Sequence, residues 1–426
     1  MNQLGRHIVV EFYDCPAEVL SDVSHIEAAM LQAARDAQAT IINSTFHHFS
    51  PFGVSGVVVI QESHLAIHSY PEYGYAAIDV FTCGEQVDPW VCYNSLFASL
   101  QAGHGSALEI GRGQKQLLRP APEDEIRDQY QPASSVTPVQ TRNIWFTERD
   151  DDIALSLRHT GEVLFRGQSE YQKVEVFDTY AYGKLLVLDG KVMTTDQDEY
   201  VYHEMITHPA LLTHPHPRRV LVIGGGDGGA VREILRHPTV EQVVMVEIDQ
   251  LVIDASIEHL PQIACEFQNP RLELRVEDGI AYVEAAPDQS FDVILIDSTD
   301  PIGPAEGLFS ETFYREVYRL LTPQGLMIVQ SESPRFNVEV FQEIYGCFRG
   351  IFGVPEVHCF LIAVPTYPSG TWSLAYCSKG GVHPLRDFDP ERARAFSEAH
   401  DLKYYNEGIH QAAFALPNYV RKLLEA

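Results

Sequence analysis

The stretch RVLVIGGGDGGAVREILRHPTVEQVVMVEID, residues 219–249, passes from an apolar strand through a glycine loop into a helix and out into a second apolar strand. That order is a βαβ unit, and it commits this part of the chain to a parallel α/β sheet. Gly224-x-Gly226-x-x-Gly229 fits a nucleotide-binding turn, with an acid, Glu247, about 20 residues on at the end of the next strand. Asp227 sits inside the loop, where a pyrophosphate needs backbone N–H groups and no competing charge, so an anionic ligand is disfavoured.

A nucleoside carrying a cation instead of phosphates suits this loop, with Glu247 accepting from ribose hydroxyls and Asp227 facing the positive group. Sulfonium nucleosides of the S-adenosylmethionine type answer that description. A second acid cluster closes the strand of FDVILIDSTDPIGPAEGLF, at Asp297 and Asp300. Strand-end aspartates often only cap turns. Here the carboxyl ends of parallel strands face one crevice, and gathering Asp227, Asp278, Asp297 and Asp300 there is expensive unless a cation fills it.

These residues resemble the spermidine synthase family of aminopropyltransferases across roughly residues 141–380. The matching motifs are EYQ (170–172), LDG (188–190), YHEM (202–205), GGGDGG (224–229), VEID (246–249), EDG (277–279), DSTDPIGPAEGLF (297–309), QSESP (330–334) and PTYPSGTWS (365–373). The resemblance implies transfer of an aminopropyl group from decarboxylated S-adenosylmethionine to putrescine, giving spermidine and methylthioadenosine. It gives Asp297 the proton of the attacking amine, and assigns the diamine to Asp300, Tyr202 and Tyr367. Gln172, His203, Asp227, Glu247 and Asp278 are implied to bind the nucleoside, Asp227 through its ammonium. Glu277 stands where glycine is common before the acid of EDG.

The N-terminal part poses a different question. IQESHLAIHSYPEYGYAAIDVFTCG, residues 60–84, crowds an acid-serine bond, two histidines and a cysteine into strand-like sequence. Singly, Ser63 could satisfy a turn, His68 could be a surface histidine, and Cys83 a small buried hydrophobe. Together they fit a serine hydroxyl that attacks its own preceding carbonyl; elimination from the resulting ester leaves a pyruvoyl group. Its carbonyl can form a Schiff base with an amino acid and act as the electron sink for decarboxylation, without pyridoxal phosphate.

LGRHIVVEFYDC, STFHHF and FGVSGVVVIQESHLAIHSYPEYGYAAIDVFTCGEQVDPW resemble the prokaryotic S-adenosylmethionine decarboxylase proenzyme over residues 1 to about 118. The resemblance implies cleavage between Glu62 and Ser63, a pyruvoyl cofactor made from Ser63, processing assisted by Ser55 and His68, and protonation of the substrate carbon by Cys83. It also implies an obligate dimer with active sites shared between protomers. Phe49 and the residue at position 70 are implied to stack on adenine. Tyr70 stands where relatives often carry tryptophan, which leaves open an ornithine or arginine decarboxylase instead. An unprocessed dimerisation module is the other alternative, and agmatine, cadaverine or spermidine could replace putrescine as acceptor.

The expected architecture is an α+β two-layer sandwich (1–118), a Pro-rich linker (119–141), a small antiparallel β domain (142–204) and a Rossmann-like α/β methyltransferase-type domain (205–426). Fifty-nine acids against 30 Lys and Arg argue against nucleic-acid or anionic-membrane partners and suit cationic small molecules. Seven cysteines without framework spacing, no signal-peptide pattern and no long apolar run give a cytoplasmic expectation. The partners expected are the small-molecule substrates and further copies of the chain, as a homo-oligomer (dimer or tetramer). No metal is expected.

Overall fold

The computed structural model describes residues 3–49, 53–83, 87–114, 144–149, 153–299 and 307–425, so the expected linker and Asp300 lie outside the described residues. Contacts divide the chain into two units, Met1–Glu162 with Phe177–Tyr180, and Val163–Val176 with Ala181–Ala426.

The first unit is a sheet with helices on one face. Strands β1 (Gln3–Tyr13), β2 (Ile41–Phe49), β3 (Val54–Ile60), β4 (Ser63–Tyr70), β5 (Tyr75–Cys83), β6 (His104–Gln114) and β7 (Ile144–Arg149) lie in the order β7-β2-β3-β4-β5-β1-β6. Period-2 alternation turns Ile8, Val10, Phe12, Leu65, Ile67, Ile78 and Val80 into one buried core with helices α1 (Ala17–Ser21), α2 (Val23–Asp36) and α3 (Pro89–Ser99). Asp22 starts α2 by accepting from the N–H groups of Ser24 and His25. Gly56 is required because a Cβ there would stand 2.0 Å from the Phe46 ring.

Residues of the opposite parity, among them His64, His68, Tyr70, Asp79, Phe81 and Cys83, are half-buried or exposed. Among the described residues no helix covers that face. β7 runs parallel to β2, Phe46 to Ile144 through Phe49 to Thr147, which is why 144–149 groups by contact with the first unit although a division near 141 was expected.

In the second unit, the later residues of β8 (Ala154–Gln168), the first four of β9 (Lys173–Thr179), and strands β10 (Gly183–Leu188) and β11 (Lys191–Thr195) precede the long helix α4 (Glu199–Thr213). β10 and β11 form the hairpin across Asp189-Gly190. The larger sheet holds β12 (Arg219–Gly224), β13 (Gln242–Glu247), β14 (Leu272–Val276), β15 (Phe291–Asp297), β16 (Leu321–Gln330), β17 (Val357–Ile362) and β18 (Trp372–Ser378). Its order is β14-β13-β12-β15-β16-β18-β17, parallel through β16 and antiparallel at β18 and β17. Continuous apolar runs such as VVMV and VILI are what a sheet buried on both faces demands. Among the described residues no helix is long and apolar enough to cross a membrane.

Candidate active sites

β12 and β15 are neighbours whose last pair is Gly224 with Asp297, so the glycine loop and the acid meet at the carboxyl edge of the sheet. Gly224 has φ +81°, and a Cβ on it would lie 2.2 Å from the Asp297 carbonyl oxygen. The Gly225 N–H donates to that oxygen at 2.8 Å. The loop leads into α5 (Gly229–Leu235), and Asp249 caps α6 (Gln250–His259).

Here lies a cavity of about 280 Å³, lined by apolar side chains and by Asp189, Asp198, Glu199, Asp227, Glu247, Asp278 and Asp297, against which, among the described residues, Lys191 and His203 are the only cations or potential cations. Gln172, Tyr202 and Tyr367 line it too, so every described residue expected at this site is brought together. The Gln172 amide donates to Asp249 at 3.0 Å. Asp278 caps α7 (Gly279–Ala285) by accepting the Ile280 N–H. The Tyr202 and Tyr367 rings are 6.0 Å apart, and the Tyr367 hydroxyl donates to the Met193 carbonyl.

Spacing on α4 sets the rest. Glu199 and His203, one turn apart, bond at 2.7 Å, and the other ring nitrogen of His203 lies 3.2 Å from Asp227. With a carboxylate at each nitrogen, His203 rises well above its ordinary value, Asp227 and Glu199 outweighing burial, which alone lowers it. Burial alone would raise Asp227; His203 and the Gly229 N–H overcome it and hold the carboxyl below its usual range. Arg232 grips both oxygens of Glu199, at 3.0 and 2.8 Å.

Glu199 and Arg232 were not anticipated from sequence, although Glu199 stands four residues before His203 and so marks the pair. Replacing Gly229 with alanine would put a Cβ 2.2 Å from the His203 ring. Gly229→Ala is therefore expected to destabilise the unit by about 1–3 kcal/mol and to raise KM for the nucleoside, read from a melting curve and initial rates.

Two acids behave differently. Glu247 is pushed up to about 7, first by burial and, among charges, most by Asp249. Asp297 is pushed up to about 6, by burial and then by the Asp227 charge. Its Oδ2 is buried without a hydrogen-bond partner among the described residues. The Tyr202 phenol, buried and beside Asp297, stays protonated far above its ordinary value.

In the first unit, Gln61 and Glu62 form the two-residue turn between β3 and β4, with Ile60 opposite Ser63. Ser63 has φ +148°, a conformation that costs of order 1–3 kcal/mol for a residue with a side chain. The Glu62 carbonyl accepts the Cys83 N–H at 2.7 Å. By alternation Ser63 shares the parity of buried Leu65 and Ile67, yet its hydroxyl bonds Nδ1 of His64, whose parity is the open face, at 3.2 Å.

Ser55 and His68, expected to assist Ser63, bond each other at 2.7 Å across a rung five residues further along the hairpin. At about 3.4 Å per residue that is roughly 17 Å from Ser63 in the same chain. Phe49 and Tyr70 belong to that far end; Phe49 packs on His47 at 4.6 Å and Tyr70 stacks on Tyr75 at 5.5 Å. The turn end thus brings Ser63 beside His64 and Cys83, while Phe49, Ser55, His68 and Tyr70 lie at the far end of the open face.

Three family descriptions match the chain: S-adenosylmethionine decarboxylase over residues 6–113, spermidine synthase tetramerisation domain over 144–196, and spermine/spermidine synthase domain over 199–388. Polyamine aminopropyltransferases of Desulforudis audaxviator and Moorella thermoacetica are each 47% identical, over 65% and 67% of this chain and 98% of their own lengths. Among solved structures, spermidine synthase from Thermotoga maritima superposes with a TM-score of 0.63 at 39% identity, over 70% of this chain and 99% of that one. A spermidine synthase in complex with the transition-state analogue AdoDATO gives 0.64 at 39% identity, with the same coverage.

Proposed function

The chain belongs to the polyamine aminopropyltransferase family and carries an S-adenosylmethionine decarboxylase domain ahead of it, and from that premise we propose that it performs two successive steps. The first unit cuts itself before Ser63 and decarboxylates S-adenosylmethionine; the second transfers the aminopropyl group of the product to putrescine.

The observation that carries the transfer is the buried Oδ2 of Asp297, without a hydrogen-bond partner among the described residues, in an acid-lined cavity. Putrescine is a dication at neutral pH, and its attacking amine needs a free lone pair. Asp297, basic enough to accept a proton near neutrality, takes it. The amine then attacks the methylene beside the sulfonium, the carbon–sulfur bond breaks, and methylthioadenosine leaves. Asp227 faces the ammonium of the aminopropyl arm, and Glu247 the ribose; Gln172, His203 and Asp278 complete nucleoside binding. Tyr202 and Tyr367 flank the diamine's carbon chain, leaving its distal ammonium to Asp300.

The residues about Ser63 fit a self-made pyruvoyl group: a hydroxyl at a strained peptide and a polarised preceding carbonyl. That group supplies the electron sink for loss of carbon dioxide. Cys83 is exposed next to the turn, where it donates a proton to the product carbon.

With the described helices all on one face, the sheet leaves the other for a second copy, and a two-fold brings the Ser63 end of one chain over the Ser55, His68, Phe49 and Tyr70 end of the other. Chains carrying Ser63→Ala and chains carrying His68→Ala, each inactive alone, are then expected to complement when co-expressed. Random pairing makes half the dimers mixed with one complete site each, so about a quarter of wild-type decarboxylation returns. No recovery refutes the shared site. Parallel assays with labelled S-adenosylmethionine, ornithine and arginine test the substrate, and release from either basic amino acid alone overturns it.

A further inference from the structure

We infer that His64, acting within its own chain, is the base that starts self-cleavage; the inference rests on the processing proposed above. Attack of the Ser63 hydroxyl on the Glu62 carbonyl needs a proton acceptor at Oγ and a donor at the carbonyl oxygen. Both are in place in one chain. Nδ1 of His64 is 3.2 Å from Oγ, and the Cys83 N–H is 2.7 Å from the Glu62 oxygen, where negative charge develops.

Other histidines of the face are committed or remote. His68 is bonded to Ser55, five rungs away. Arginine only donates, so the 3.1 Å contact of Arg112 with Nδ1 of His7 makes that nitrogen an acceptor. The His7 proton is therefore on Nε2, which donates to Asp79 at 3.0 Å. The Phe81 ring separates this pair from His64, tilted against His7 at 5.5 Å and meeting His64 edge-on at 6.0 Å. For Nδ1 of His64 to accept, its proton is on Nε2.

The step balances without a co-reactant. As Oγ bonds to the Glu62 carbonyl carbon, its proton passes to Nδ1 of His64 and the oxyanion is held by the Cys83 N–H. When the carbon–nitrogen bond breaks, His64 returns the proton to the Ser63 nitrogen. An ester of Glu62 on the Ser63 oxygen and a free amine remain, an isomer of the peptide. His68 then acts only after the ester exists.

The test follows the newly translated full chain over time on denaturing gels, with and without hydroxylamine, which splits an ester and spares a peptide bond. In His64→Ala the chain is expected to be cut at least 100-fold more slowly, to resist hydroxylamine, and to be speeded by added imidazole, a rescue that a misfolded chain does not show. In His68→Ala hydroxylamine is expected to release both fragments. A thiol needs a base less than a hydroxyl does, so removing His64 from a Ser63→Cys chain should slow cleavage far less than in the serine chain. Equal slowing in both backgrounds makes His64 structural and overturns the inference, as does wild-type cutting or hydroxylamine-sensitive ester in His64→Ala. An uncut wild-type chain overturns the self-cleavage itself.

Discussion

Ser63→Ala leaves the chain as a single band, abolishes carbon dioxide release from S-adenosylmethionine, and preserves aminopropyl transfer from supplied decarboxylated nucleoside. The loss is complete because alanine has no atom to form the ester, and without the ester there is no carbonyl to draw electrons from the substrate. The fold should survive. Only one hydroxyl is lost, bonded at 3.2 Å to His64, and the Glu62 carbonyl keeps its bond from Cys83. Transfer survives because every described residue that lines the acid-rich cavity belongs to the second unit. A gel, labelled carbon dioxide and methylthioadenosine formation from one preparation decide the matter. Fragments in the variant, or loss of both activities with an unchanged melting curve, contradict it.

How legible these sites were in the sequence depended on how local their geometry is. Gly224, Asp227, Glu247 and Asp297 could be read because strand, loop and strand end are fixed by adjacent residues and by the rule that parallel strands end at one crevice. Asp297 comes beside Gly224 through one neighbouring pair, and the apolar runs of β12 and β15 set that register. The Glu199–Arg232 clamp was missed because it joins α4 to α5, a tertiary contact that no spacing within either helix announces. Ser55 and His68 lie eight and five residues from Ser63 in sequence, yet the hairpin carries both to its far end. Closeness along an extended strand is distance in space, and only a second chain or a bent strand undoes it. The parallel pairing of β7 with β2 was likewise unreadable, since an apolar strand edge does not name its neighbour.

Asp297→Asn is expected to lower kcat for transfer by about 10²–10⁴-fold, to leave self-cleavage unchanged, and to raise the melting temperature of the ligand-free protein at pH 8. The two effects share a cause. Burial and the facing Asp227 raise the carboxyl from its ordinary 3.8 to about 6, while His203 and the Tyr202 hydroxyl pull the other way without prevailing. Because the folded pKa is raised, the stability linked to this group is fully present below about pH 4 and lost as pH rises through about 6. Above that the empty site carries an ion that the unfolded chain would hydrate, a cost of order 1–3 kcal/mol. Asparagine removes the cost, so variant and wild type should melt alike near pH 4 and diverge toward pH 8. The same ionisation makes the base: wild-type kcat/KM should fall on the acid side with an apparent pKa of about 6. A cationic amine entering the cavity meets the charge that destabilised it, so the energy stored by burying Asp297 is returned when the diamine binds. A variant that loses activity with no gain in stability at pH 8 would separate the two effects and place the proton acceptor elsewhere.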